Sequence, residues 1–163
     1  MKILVTGATG FIGAAVARKL SQQRHEVVAL SRSDAAAAKL TVAGLTPVAG
    51  DFAVPASLAA PAAQVDAIVS TASIGQVEGT QDSFAKDRDA VAVMTKALGD
   101  SGKPLIFTSG SAIFGVFTKG EASPTIFDED HPVPLPASIF APPAAELPPA
   151  VHRRLWRRNG AAR

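Results

Sequence analysis

Three glycines spaced three residues apart, Gly7, Gly10 and Gly13, constrain the start of this chain more than any other feature. They follow the apolar run Lys2–Thr6 and precede a stretch with helical apolar spacing, from about residue 11 to 23. Gly7 permits a tight turn, Gly10 lets the backbone approach an anionic group, and Gly13 allows the helix to pack close to the strand. The helix N-terminus offers N–H groups and the positive end of its dipole. The pattern predicts a phosphate-binding turn, with a purely structural turn as the alternative.

Apolar runs bounded by turn residues alternate with helix-patterned stretches through residue 108, which is typical of βα units and a parallel sheet covered on both faces. The predicted strands cover residues 2–6, 26–31, 46–50, 66–70 and 104–108. The predicted helices cover about residues 11–23, 34–40, 54–63 and 80–99. Right-handed crossovers order five such strands as 3-2-1-4-5. The sequence therefore predicts an α/β fold with a doubly wound parallel sheet.

The composition changes after residue 115. Seven of the twelve prolines fall between Pro132 and Pro149, and residues 151–163 add five arginines and no acid. Proline lacks a backbone N–H and fixes φ, so this density disfavours helix and sheet alike. We expect one domain over residues 1–131 and an irregular or disordered Pro/Arg-rich tail over residues 132–163. Two origins fit the tail: truncation of a longer protein, or a GC-rich gene read out of frame.

Composition and charge argue against several classes of partner. Residues 1–150 hold eleven basic and fourteen acidic residues, a formal charge of −3, so we expect no nucleic-acid partner. The chain has no cysteine, and His25, His131 and His152 lack metal-ligand spacing, so we expect no metal site. No uninterrupted apolar stretch approaches the ~18 residues that span a bilayer. We therefore expect a cytoplasmic protein without membrane contact.

The run Thr6-Gly7-Ala8-Thr9-Gly10-Phe11-Ile12-Gly13 resembles the fingerprint of the short-chain dehydrogenase/reductase superfamily, in the extended and atypical branch that includes the NAD-dependent epimerase/dehydratases. The resemblance covers about residues 1–131 and extends to the Gly50-Asp51 pair and to residues 70–73 and 107–115. It implies a Rossmann-type dinucleotide-binding domain of an oxidoreductase. The cofactor-binding residues that it implies are Gly7, Thr9, Gly10, Phe11, Ile12, Gly13, Ser31, Arg32, Ser33, Asp51, Phe52, Thr71, Ala72 and Ser73.

The segment Ser31-Arg32-Ser33 bears on which dinucleotide is bound, because it ends the second predicted strand about twenty residues past the glycine run. An acid at this place would accept hydrogen bonds from the ribose of NAD. An arginine suits the 2′-phosphate of NADP, since a guanidinium pairs with phosphate bidentately. NADP is therefore the expected cofactor, while the neighbouring Asp34 keeps NAD open. The alternative is that Arg32 is a solvated surface charge.

Two further strand ends carry candidate cofactor contacts. The resemblance places Asp51 against the adenine amino group and Phe52 in the adenine pocket, whereas a helix-capping turn would explain Asp51 equally well. Thr71, Ala72 and Ser73 follow the fourth predicted strand beside the crevice in which open parallel sheets bind ligands. Small side chains there leave room for the ribose and nicotinamide.

The catalytic residues of the superfamily are where the resemblance fails. Active members use a Tyr-x-x-x-Lys pair for proton transfer, but this chain contains no tyrosine, and its last lysine is Lys119. Gly110 fills the usual Ser/Thr position, and the adjacent Ser111 is the candidate catalytic hydroxyl, acting as an oxyanion-side donor. The alternative is that Ser111 is a strand-end turn residue.

Three functions fit these observations. The leading expectation is an NAD(P)(H)-binding domain of an epimerase/dehydratase-like oxidoreductase that is catalytically incomplete. A second is a non-catalytic dinucleotide-sensing or scaffold protein of the atypical branch. A third is an enzyme in which Ser111 and water replace the tyrosine. The sequence fits either a monomer or an oligomer, and it does not identify a small-molecule substrate.

Overall fold

The computed structural model describes residues 1–74, 81–108, 121–122 and 124–126. The chain divides into two units, Met1–Thr108 and Ser109–Arg163, and the fold below is that of the first. Ser111, the predicted boundary at residue 131 and the predicted tail all lie outside the described residues. Those expectations stay predictions.

Among the described residues, five parallel strands form one sheet in the order β3-β2-β1-β4-β5. Leu4 of the central strand pairs with Val28 on one side and Ile68 on the other. The predicted α/β fold and the predicted strand order are confirmed. The strands are β1 (Lys2–Thr6), β2 (Glu26–Ser31), β3 (Thr46–Ala49), β4 (Ala67–Ser70) and β5 (Leu105–Phe107).

The helices fall between the strands, as the βα pattern predicts. They are α1 (Phe11–Gln22), α2 (Asp34–Val42), α3 (Ala59–Ala63) and α4 (Gln81–Leu98). None of these helices, which are those of the described part of the chain, combines the length and apolar character needed to cross a membrane.

The segment predicted as one helix over residues 54–63 instead begins with a 3-10 turn, Pro55–Leu58, before the short α3. The hydroxyl of Ser57 donates to the carbonyl oxygen of Val54 at 2.7 Å, and its backbone N–H donates to the same oxygen at 2.9 Å. Pro61 has no N–H with which to continue an α-helical ladder from this turn. These bonds between residues three apart favour the tighter 3-10 geometry over an α-helix.

Different helices cover the two faces of the sheet. α1 and α2 contact β1, β2 and β3. Successive side chains of a strand point to opposite faces, so Leu4 and Ile68 lie on the other face from Ile3 and Val5. On that second side, α3 contacts α4, whose Val91 and Met94 are fully buried. The first face forms one buried cluster of Ile3, Val5, Ala8, Ala17, Val27, Ala29, Leu40, Leu45 and Ala67.

Candidate dinucleotide-binding site

The carboxyl ends of all five parallel strands meet at one edge of the sheet. β1 lies between β2 and β4, so the strand order reverses beside it, and the crevice outside such a reversal is where open α/β sheets bind ligands. The structure brings every described candidate to this edge, in the segments that follow β1, β2, β3 and β4. Their role in binding stays a prediction.

The three glycines of the turn after β1 differ in what a side chain would meet at each position. Gly7 has a φ of +74°, a conformation that side chains rarely adopt. A Cβ on Gly13 would collide with the carbonyl oxygen of Gly7 and lie 2.7 Å from the Thr71 hydroxyl oxygen. A Cβ on Gly10 would lie 3.3 Å from the Gly7 carbonyl oxygen, a close contact that a shift of a few tenths of an ångström would relieve. Gly7 therefore serves conformation and, because a Cβ on it would lie 2.8 Å from the Thr71 hydroxyl oxygen, packing as well. Gly13 serves packing, and Gly10 is exposed.

The start of α1 is exposed. Gly10 is the N-cap residue with extended backbone, and within the described part of the chain the first turn has neither a side-chain cap nor an acid. Thr9 is exposed, Phe11 is 97% exposed and Ile12 is 53% exposed, although Ile12 belongs to the apolar pattern of the helix. The N–H groups of an uncapped first turn suit an anion, because they and the helix dipole are both positive there.

A hydroxyl network that the sequence does not predict ties the end of β1 to the end of β4. The side-chain oxygens of Thr6 and Ser70, both fully buried, are hydrogen-bonded at 3.0 Å. The backbone N–H of Ala72 donates to the Thr6 hydroxyl oxygen at 3.2 Å. The Thr71 hydroxyl donates to the carbonyl oxygen of Thr6 at 2.7 Å. The hydroxyl of Thr71 therefore braces the strand ends, and it also packs where Gly7 and Gly13 have no side chain.

The segment after β2 leaves its arginine toward solvent and uses both serines locally. The Ser31 hydroxyl is buried and donates to the carbonyl oxygen of Ser33 at 2.8 Å. The Ser33 side chain accepts from the backbone N–H of Ala36 and caps α2. Asp34 lies in the first turn of that helix, which accounts for an acid at this place, whereas Arg32 is exposed.

The segment after β3 is a self-bonded turn. The Asp51 carboxylate accepts from the backbone N–H of Ala53 at 2.9 Å, and the Asp51 N–H donates to the Ser57 hydroxyl oxygen at 2.9 Å. Phe52 is only 5% exposed. One carboxylate oxygen of Asp51 is thus used in a turn, as the alternative interpretation predicts. The side chain of Phe52 belongs mainly to the core.

The segment after β4 is fixed to α4 by a buried acid. The Ser73 hydroxyl donates to Asp87 Oδ2 at 2.5 Å, and the Ile74 backbone N–H donates to Asp87 Oδ1 at 2.8 Å. Asp87 is fully buried. Sequence reasoning did not single it out, although a signal exists: Asp87 precedes Ala90, Val91 and Met94 on the same apolar stripe, where an acid needs buried partners.

Within residues 1–74, 81–108, 121–122 and 124–126, no group of three His, Cys, Asp or Glu side chains could hold a metal ion. The predicted catalytic Ser111 is outside these ranges. The polar groups of the described part of the site are hydroxyls, the exposed Arg32, and the two acids Asp51 and Asp87, whose carboxylates accept hydrogen bonds from the segments after β3 and β4.

Residues 3–140 match the NAD dependent epimerase/dehydratase family. The chain belongs to this family, and the resemblance drawn from the glycine run is confirmed. The uncharacterized protein C2A9.02 of Schizosaccharomyces pombe is 34% identical over 164 residues, which cover 93% of this chain and 55% of that protein. The chain thus spans about half the length of this curated relative.

Two solved structures have a similar fold. UDP-N-acetylglucosamine 4-epimerase from Bacillus cereus gives a TM-score of 0.67 at 20% identity, over 98% of this chain and 56% of that chain. Yeast methylglyoxal/isovaleraldehyde reductase Gre2, complexed with NADPH, gives a TM-score of 0.58 at 20% identity, over 69% of this chain and 39% of that chain. At these identities the likeness shows the fold alone. Family membership supports an NAD(P)-binding, oxidoreductase-like domain with a nicotinamide dinucleotide as its cofactor.

Proposed function

We propose that this chain binds NADP(H) across the carboxyl edge of its sheet, with the pyrophosphate against the glycine turn. The observation that carries the proposal is the exposure of Gly10 beside the start of α1, which has no side-chain cap within the described residues. A phosphate can approach the backbone there, and the N–H groups and dipole of α1 favour its charge. The residues present therefore fit a dinucleotide.

The strand order indicates where each half of the ligand would lie. The first βαβ half of such a sheet receives the adenosine, so the segments after β2 and β3 would hold the adenine and its ribose. The second half begins at β4, so the segment from Thr71 to Ile74 would face the nicotinamide and its ribose. When bound, the cofactor supplies hydride chemistry. The residues of this chain bind it, orient it and limit the space around it.

Arg32 is the basis for preferring NADP(H). Its exposed guanidinium can reach a 2′-phosphate, whereas the hydroxyls of the neighbouring Ser31 and Ser33 are engaged in the turn and in the cap of α2. We expect Arg32→Ala to raise the Kd for NADPH about tenfold or more, through loss of a charge-assisted phosphate contact, and to leave the Kd for NADH unchanged. Isothermal titration calorimetry with both cofactors measures this. The matched control is Arg18→Ala, because Arg18 is also an exposed arginine but lies on α1. Equal NADPH affinity in Arg32→Ala would remove Arg32 from the site.

We further propose that this chain by itself does not turn over a substrate. Proton transfer by a positioned side chain contributes about 10²–10⁴-fold to such rates, and the chain has no tyrosine to provide it. NADPH oxidation followed by absorbance, with aldehydes, ketones and nucleotide sugars as substrates, should show no enzyme-dependent rate. Turnover that is lost in Ser111→Ala would instead support the enzyme in which Ser111 and water replace tyrosine.

The absence of tyrosine also favours a second function, a dinucleotide-sensing or scaffold protein that binds the cofactor without consuming it. The two functions differ in what binding does. A sensor should change its association with itself or with another protein when NADPH is added, which light scattering with and without NADPH detects for self-association. We also propose that the protein is cytoplasmic.

A further inference from the structure

Asp87 is a buried acid in the first unit for which the proposed function has no use. It lies in α4, is fully buried, and sits among the apolar residues Ala90, Val91 and Met94 of the same helical stripe. A carboxylate in such surroundings is costly unless hydrogen bonds satisfy its oxygens. Each oxygen has a partner in the segment after β4, from Ser73 and from Ile74.

The two bonds act on one short piece of chain from two directions. The contact from the Ser73 hydroxyl, at 2.5 Å, is as short as charge-assisted O–H···O⁻ bonds become. The contact from the Ile74 N–H, at 2.8 Å, fixes the backbone itself. The other end of this piece is held to β1 by Thr71 and Ala72. The segment 71–74 is therefore held at both ends, by β1 and by α4.

We propose that Asp87 is a positioning residue for the nicotinamide half of the dinucleotide, acting through Ser73 and the Ile74 backbone. The inference rests on the proposed function, because it concerns the same bound cofactor. Asp87 is fully buried and bonds to Ser73 and Ile74, so it acts on the ligand only through segment 71–74. Its effect should be confined to the half of the ligand that follows β4. The adenosine half, at the ends of β2 and β3, should not respond.

The test compares two ligands on the full chain by calorimetry: NADPH, and adenosine 2′,5′-bisphosphate, which carries only the adenosine half. We expect Asp87→Leu to raise the Kd for NADPH about tenfold, because both acceptors are lost, and to change the Kd for the bisphosphate less than about twofold. Asp87→Asn keeps an acceptor for the Ile74 N–H and should fall between wild type and Asp87→Leu. If Asp87→Leu does not fold, Asp87→Asn alone carries the comparison.

The nicotinamide also gives a spectroscopic signature. The fluorescence of reduced nicotinamide depends on its surroundings, so bound NADPH should emit more weakly in Asp87→Asn than in wild type when both are saturated. Asp82→Asn makes the same chemical change on the same helix at an exposed acid that pairs with Lys86. That control should match wild type with both ligands and in emission.

Three outcomes would overturn the proposal. Equal weakening of NADPH and the bisphosphate would show that Asp87 matters only to stability. Unchanged NADPH affinity and emission in Asp87→Asn would show that the contact does not reach the ligand. Failure of wild type to bind either ligand would remove the proposed function first, and this inference with it. The first two leave the proposed function standing, so the two failures are distinguishable.

Discussion

Replacing Gly13 with alanine should destabilise the protein by about 3 kcal/mol or more and lower its Tm on the order of 10 °C. The added Cβ would collide with the Gly7 carbonyl and approach the Thr71 hydroxyl oxygen to 2.7 Å. No rotamer change relieves contact with a backbone carbonyl. Moving α1 away from β1 would open the cluster that includes Ala17, Ile3 and Val5. Thermal melting followed by circular dichroism measures the shift.

Gly10→Ala is the matched control for that experiment. Gly10 has a φ of −91° and a ψ of 173°, which any residue adopts, and its added Cβ would lie 3.3 Å from the Gly7 carbonyl oxygen. We expect Gly10→Ala to melt within a few degrees of wild type, since Gly10 is exposed and its contact needs a shift of only a few tenths of an ångström. Similar melting temperatures for Gly13→Ala and wild type would mean that α1 does not depend on its close approach to Gly7.

Gly10→Val should fold but lose the cofactor. Its two γ-methyl groups would occupy the space through which a pyrophosphate approaches the turn. The backbone cannot easily move aside, because the Gly10 N–H donates to the Gly7 carbonyl oxygen and the Gly10 carbonyl oxygen accepts from Ala14, both at 2.9 Å. We expect the Kd for NADPH and for NADH to rise at least about a hundredfold.

Calorimetry tests this loss, and the melting temperature of Gly10→Val shows whether the fold is kept. Together the two glycines separate folding from binding: one substitution should cost stability, and the other should cost affinity in a stable protein. A folded Gly10→Val that binds NADPH as wild type does would mean that the glycine turn is structural only, and the proposed function would fall.

Much of the fold is predictable because its signals are local. Each strand is a short apolar run with turn residues at its ends, and the strand order then follows from the handedness of βα crossovers. The positions of the candidate contacts follow as well, since parallel strands bring their carboxyl ends to one edge. The positions of Arg32, after β2, and of Gly10, at the start of α1, can in this sense be predicted from sequence spacing alone.

The hydrogen-bond partners are not predictable in this way, because they join residues far apart in the chain. The contact between Thr6 and Ser70 spans 64 positions, and that between Ser73 and Asp87 joins a strand end to the following helix. The predicted helix over residues 54–63 is confirmed only in part, because its first half is the 3-10 turn Pro55–Leu58 and its second half is the α-helix α3. In the first half, Ser57 bonds back to Val54, and Pro61 has no N–H with which to join the two halves in one α-helical ladder.

The position of β1 has a consequence for how the protein is made. β1 is synthesised before the other four strands of the described sheet, yet it is the central strand. One of its two neighbours, β4, follows more than 60 residues later, where the Lys2 N–H donates to the Asp66 carboxylate just before that strand. A nascent chain that ends before β4 can pair β1 with β2 but has no crevice beside β1. Such non-local pairing slows folding, because a long loop must close before the contact forms. Under the proposed function, capture of the cofactor therefore has to wait until segment 71–74 has emerged, however early the glycine turn is exposed.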